Sequence, residues 1–223
     1  MPTALEYRAA LSVVTEAAGE TVLDSLASAT GDPVIERAFL LDTVPGVIDY
    51  YALGAAGLAA DAYEDARETA GVRTGFAAVT VTADRTVKIR RAVAWASEPL
   101  WQDDKETTAK RLQAIVQPEV ANPYRDTILG NRARDPESVG WRRIARAGAC
   151  RFCLMLAARG AVYKRGTVRF AGHSHCHCTA EPVFDTGEPI FEASEIQYRA
   201  SAKKQTPASR ARLKDYLDTY YPL

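Results

Sequence analysis

The chain has 223 residues, of which 28 are basic and 28 acidic, and 47% of it is hydrophobic. That balance is ordinary for a folded soluble protein and excludes a disordered or fibrous chain, while a net charge of zero speaks against indiscriminate binding of nucleic acid over the whole surface. The longest apolar stretch, Ala52 to Ala60, stops at Asp61, far short of the roughly 20 residues a bilayer requires, so no membrane contact is expected. The opening Met1-Pro2-Thr3-Ala4-Leu5-Glu6 has an early acid and lacks the apolar core of a signal peptide, which leads to the expectation of an intracellular protein.

Pro2 to Ala29 places Tyr7, Leu11, Val14, Ala18, Val22 and Leu26 at steps of three and four, which predicts one long amphipathic helix. Thr30-Gly31-Asp32-Pro33 stops it and starts another, with Asp32 as N-cap and Pro33 at the first helical position. A third helix is expected after Pro45, carrying Val47, Tyr51, Gly54, Leu58 and Ala62 and closed by Gly71. Its small residues would let a neighbouring helix approach closely, and are equally compatible with alanines on a far face. Ala78-Val79-Thr80-Val81-Thr82 has β propensity, whereas Val87 to Trp95 repeats at helical spacing and breaks near Pro99. Thr107 to Val116 reads as a further helix with Leu112 and Ile115 inward, and Arg125 to Arg134 as another after Pro123, ended by Asp135-Pro136. The one boundary falls near Asp135, giving a helical domain over 1–135 and a second module over 136–223.

The character changes from Gly140 on. Trp141 to Arg146 alternates apolar and basic residues and reads as a short strand. Phe152, Met155, Leu156 and Ala161 follow at helical spacing, Thr179 to Phe184 reads as extended chain, and Pro207 to Tyr220 as a last helix with Leu213 and Leu217 inward. The expected fold class is mainly α: an N-terminal helical domain followed by a small α+β module.

All four cysteines and all three histidines lie in that module, as Cys150-x-x-Cys153 and then His173-Ser-His175-Cys176-His177-Cys178. Two clusters of soft donors are what a tetrahedral zinc site needs, and donors rich in thiolate satisfy the ion completely, which points to a closed structural site. A thioredoxin-type couple would sit in a βαβ unit that is not visible upstream, disulfides would need a secreted chain, and core cysteines would not gather every histidine beside them. The candidate ligands are Cys150, Cys153, His173, Cys176 and Cys178, five donors for four places. If the segment is extended, His175 and His177 face away from Cys176 and Cys178. A module this small has little core of its own, so zinc would help hold it together.

The run Trp141-Arg142-Arg143, then Ala149-Cys150-Arg151-Phe152-Cys153-Leu154-Met155-Leu156, Gly160-Ala161-Val162-Tyr163, His173-x-x-Cys176-x-Cys178 and Pro182-Val183-Phe184, resembles tailed-phage minor head proteins. It looks most like the MuF-like head morphogenesis family in its actinobacteriophage form. The resemblance is sharp over Gly140 to Phe184 and softer over Tyr50-Tyr51 through Asp65-Ala66-Arg67 and Ala70-Gly71-Val72. It implies metal-ligand roles for Cys153, His173, Cys176 and Cys178, with Cys150 an additional donor. Arg146-Ala147-Gly148-Ala149 stands where a common form of the family has Asp-x-Arg-Thr, so no role is carried over for that Asp.

The resemblance further implies a minor capsid protein, present in few copies in the phage head interior near the portal and in the host cytoplasm during assembly. Its implied partners are the portal and major capsid proteins. Two basic runs, Arg85, Lys88, Arg90, Arg91 and Arg142, Arg143, Arg146, Arg151, would suit packaged DNA, although a solvated helix face is the commoner reason for such runs. The alternative is a capsid maturation protease, as relatives of this kind are often labelled. Against it, no His-Glu-x-x-His is present, and a Ser/His triad would have to draw its base from the metal cluster. A fused toxin domain has too little chain after Cys178, and a zinc-ribbon DNA reader would need tighter ligand spacing.

Overall fold

Helix α1 spans Ala4–Ser28. Thr3 caps it and Glu6 reaches back to the Thr3 amide, so two of the amides that a helix start leaves without partners are satisfied reciprocally. Its buried residues, Tyr7, Leu11, Thr15, Ala18, Val22 and Leu26, recur at three and four and form the face laid on the other helices. The computed structural model describes residues 1–145, 149–160, 163–164 (backbone only), 170, 178–184 and 206–222.

Helix α2, Pro33–Thr69, starts as the sequence predicts: the Asp32 carboxylate accepts from the amides of Val34 and Ile35 at 2.9 and 3.0 Å. It then runs straight through Pro45, so the two helices expected on either side of that residue are one helix of 37 residues. A proline inside a helix removes the bond to the carbonyl four residues back, here that of Leu41. Arg90 of α3 (Thr86–Ala96) supplies the missing donor, its Nη1 lying 2.7 Å from the Leu41 oxygen.

Helix α4, Lys105–Arg134, repeats the device. It contains Pro118 and Pro123, and the helices expected over Thr107–Val116 and Arg125–Arg134 are one continuous element. Pro123 strips the Glu119 carbonyl of its helical donor, and Arg85 Nη1 stands 3.5 Å from that oxygen. Two prolines that read as helix ends are thus tolerated because arginines at the start of α3 serve the carbonyls they orphan. Arg90→Ala is expected to cost about 1 kcal/mol, the worth of one such bond. In a Pro45→Ala background, where the helix bonds Leu41 itself, it should cost close to nothing. A urea double-mutant cycle reads the difference, and equal costs in both backgrounds would refute the pairing.

Residues 78–82, marked by β propensity, have no neighbouring strand among the described residues. Asn131 Oδ1 accepts from the Val79 amide at 2.9 Å and its Nδ2 donates to the Val79 carbonyl at 2.7 Å, while Thr127 Oγ1 accepts from the Val81 amide at 2.9 Å. Two side chains one turn apart on α4 therefore do the work of a partner strand. Gly130 makes room for this approach, since a Cβ there would sit 2.7 Å from Val81 Cγ2. Gly71, at φ +73°, closes α2 in the left-handed conformation and lets the Val72 amide bond back to the Arg67 carbonyl at 3.0 Å.

Beyond α4, strands β1 (Ser138–Ile144), β2 (Tyr163–Lys164) and β3 (Thr179–Phe184) form an antiparallel sheet in the order β2-β1-β3, with β2 contributing two residues. Trp141 stands opposite Tyr163 on one side and Pro182 on the other, and the register shifts between Ser138 and Gly140. Helix α5 covers Arg151–Ala158 and helix α6 Pro207–Tyr220, where Leu213 and Leu217 are half-buried. The fold is mainly helical. Asp135 lies at the passage from α4 to β1, and one buried cluster reaches across that point, joining the α1, α2 and α4 residues to Trp141, Ala180 and Phe184. Among the described residues no helix is long and apolar enough to cross a membrane.

Candidate metal centre and its surroundings

Helix α5 opens directly behind Cys150, which takes the N-cap position and is exposed. One turn later Cys153 points inward and is 2% exposed. Cys178 immediately precedes β3 and is also 2% exposed. The antiparallel register carries it there: Thr179 pairs with Ile144, so Cys178 arrives beside the end of β1. Cys153 and Cys178 then share one small buried cluster with Ala149, against which Ala145 and Phe170 pack. The two sequence clusters, 25 positions apart at their nearest described members, meet in this buried cluster.

His173 and Cys176 lie outside the described residues, as do His175 and His177. Among the described residues no group of three His, Cys, Asp or Glu is placed to hold a metal. What the described donors supply is a pair of buried sulfur atoms from two separate segments. A soft, borderline ion such as zinc suits that chemistry, and the apolar shell around it controls access of water.

Phe170 forms one wall. Its ring lies 5.6 Å from that of Trp141, with the Arg143 guanidinium 3.9 Å and the Arg125 guanidinium 4.7 Å from its centroid. Trp141 and Arg143 reach the same ring because alternate residues of a strand share a face. Arg125, from α4, is 2% exposed. Nothing in the sequence singled out Arg125 or Phe170: the contacts that give them a role join residues far apart in the chain.

A groove of about 1120 Å³ runs alongside, between the start of α1, the last turns of α2, the sheet and α5. Four of its polar groups are engaged in pairs. Tyr7 donates to Asp65 at 2.8 Å, and Glu181, the acid nearest the ligand cluster, forms a cross-strand ion pair with Arg142. Burial first, and then the bond to Asp65, pushes the Tyr7 hydroxyl well above its usual range, so it stays a protonated donor rather than a base.

Several members of the two basic runs have partners within the molecule. Arg85 and Lys88 both pair with the buried Glu119, Arg90 serves the Leu41 carbonyl, Arg142 holds Glu181, and Arg151 pairs with Asp218 of α6. Arg146 lies outside the described residues. Arg85, Lys88, Arg142 and Arg151 are thus matched by acids, while Arg91 is exposed.

No curated protein and no solved structure matches the chain. The family model described as VG15 protein does match, over residues 2–202, a span that takes in the helices α1 to α4, the sheet, α5 and both cysteine clusters, and leaves out only α6. The chain belongs to the VG15 protein family, a family of viral proteins.

Proposed function

We propose that this protein is a minor component of a bacteriophage head, acting beside the portal during head assembly and the packaging or ejection of DNA, with a structural zinc in its C-terminal module. The observation that carries the reading is the meeting of Cys153 and Cys178 in a buried apolar cluster. A metal held by such thiols, together with His173 and Cys176, is shut away from substrate, and its work is to fasten two segments of chain. Cys150 is the fifth donor, at the rim. When bound, zinc supplies cross-linking. The chain supplies the wall, through Phe170 and Trp141, and the backbone geometry, through β1 and β3.

Contact with other virion proteins is supported by α2. Ile35, Phe39, Tyr50 and Leu53 are all exposed, and helical steps bring them to one face together with Gly46 and Gly57, where an added Cβ would meet nothing within 4 Å. Exposed Asp42 and Asp49 lie in and beside this apolar stripe, and exposed apolar surface mixed with polar residues in this way suits contact with another protein. The portal is its proposed partner and the major capsid protein a second. Packaged DNA would find Arg85, Lys88, Arg142 and Arg151 already paired with acids.

Co-purification with the cognate portal protein tests the role. Tyr50→Asp with Leu53→Asp should leave the unfolding midpoint within about 0.5 kcal/mol, as for exposed positions generally, yet abolish portal association and incorporation into procapsids. Wild-type protein that does not associate with portal would sink the assignment. For the metal, purified protein should carry close to one zinc per chain, and Cys178→Ser should lose it.

A further inference from the structure

Cys178 is gripped from outside its own segment. Its carbonyl oxygen accepts a hydrogen bond from Arg125 Nε at 3.0 Å, within the buried interior. The same guanidinium donates from Nη1 to Asn122 Oδ1 at 3.0 Å and lies over the Phe170 ring. A planar guanidinium with contacts on two edges and one face has its orientation fixed, so the oxygen it holds is fixed too. Asn122 sits one helical turn before Arg125 on α4, so the whole clamp belongs to a rigid element of the helical core.

Resting on the zinc reading above, we infer that Arg125 is a positioning residue for the metal centre: it locks the backbone at Cys178, so that this thiol meets Cys153 at a set place, and it ties metal occupancy to α4. Groups that orient ligands in this way commonly contribute about 10- to 100-fold in metal affinity. Lysine at the same place could reach the carbonyl but could not engage Asn122 with a second edge of the same plane.

The test uses the full chain loaded with zinc, and in parallel with cobalt, whose visible absorption reports tetrahedral thiolate ligation. Arg125→Ala is expected to give up zinc to a competing chelator about 10- to 100-fold more readily than wild type and to show altered cobalt bands. Arg125→Lys should fall between the two. Arg132→Ala, which removes another buried arginine of α4, should lower the unfolding midpoint while leaving zinc retention as in wild type. Retention of zinc by Arg125→Ala at the wild-type level, or an equal loss by Arg132→Ala, overturns the inference. If Arg125→Ala yields no folded protein, Arg125→Lys decides alone, and its wild-type retention overturns the inference. A wild-type chain that takes up neither zinc nor cobalt is a separate result, which overturns the metal reading itself.

Discussion

Asp135→Ala is expected to destabilise the protein by about 3–5 kcal/mol, the range for removing one partner of a buried ion pair. Asp135 is fully buried and pairs with Arg67, itself 5% exposed. The Tyr63 hydroxyl donates to the same carboxylate at 3.1 Å, and Arg67 donates to the Thr74 carbonyl at 2.8 Å while lying over the rings of Phe76 and Phe184. The other Asp135 oxygen accepts from the Glu137 amide at 3.0 Å, shaping the turn into β1. Truncation would strand a buried cation and free that turn together. Out of a total stability of about 5–15 kcal/mol for an ordinary domain, such a loss is a third or more. Urea unfolding followed by circular dichroism measures it. Adding Arg67→Met to the variant should recover much of the loss, because an apolar replacement removes the stranded charge. A single variant within about 1 kcal/mol of wild type would show that the pair contributes little.

What could be foreseen from the chain was local. The three-and-four spacing from Tyr7 to Leu26 and the Asp32-Pro33 start are features that a short stretch of sequence contains whole, and α1 and the start of α2 follow them. The effect of the prolines is not local in this way. Pro45 and Pro123 each cost a helical bond, but the donors that make up for it, Arg90 and Arg85, come from another helix, with Arg90 49 residues from Leu41. Residues 78–82 have strand chemistry without a strand partner among the described residues, and Thr127 and Asn131 of α4 take that place. Ligand chemistry is likewise local, so the candidate donors could be named from spacing. Arg125 could not, because its partner is a carbonyl 53 residues away and arginines on a helix ordinarily face water.

Trp141→Ala should be comparably damaging, at about 3–5 kcal/mol for the loss of a buried indole, and it should act on both halves of the molecule at once. Trp141 is 1% exposed and belongs to the same apolar cluster as the helices, while its ring also backs Phe170 against the cysteine pair. Trp141→Phe, which refills most of the volume, should cost markedly less. Trp95 and Trp101 are each 49% exposed, so the fraction of tryptophan fluorescence shielded from iodide in the native protein should come from Trp141 and vanish in the variant. With Phe170 no longer backed, Cys153 and Cys178 in metal-free protein should react faster with a thiol reagent in Trp141→Ala than in Trp141→Phe. A variant that unfolds at a lower urea concentration but keeps wild-type thiol reactivity would mean that Trp141 serves the helical core alone. Unchanged stability with faster thiols would mean the reverse.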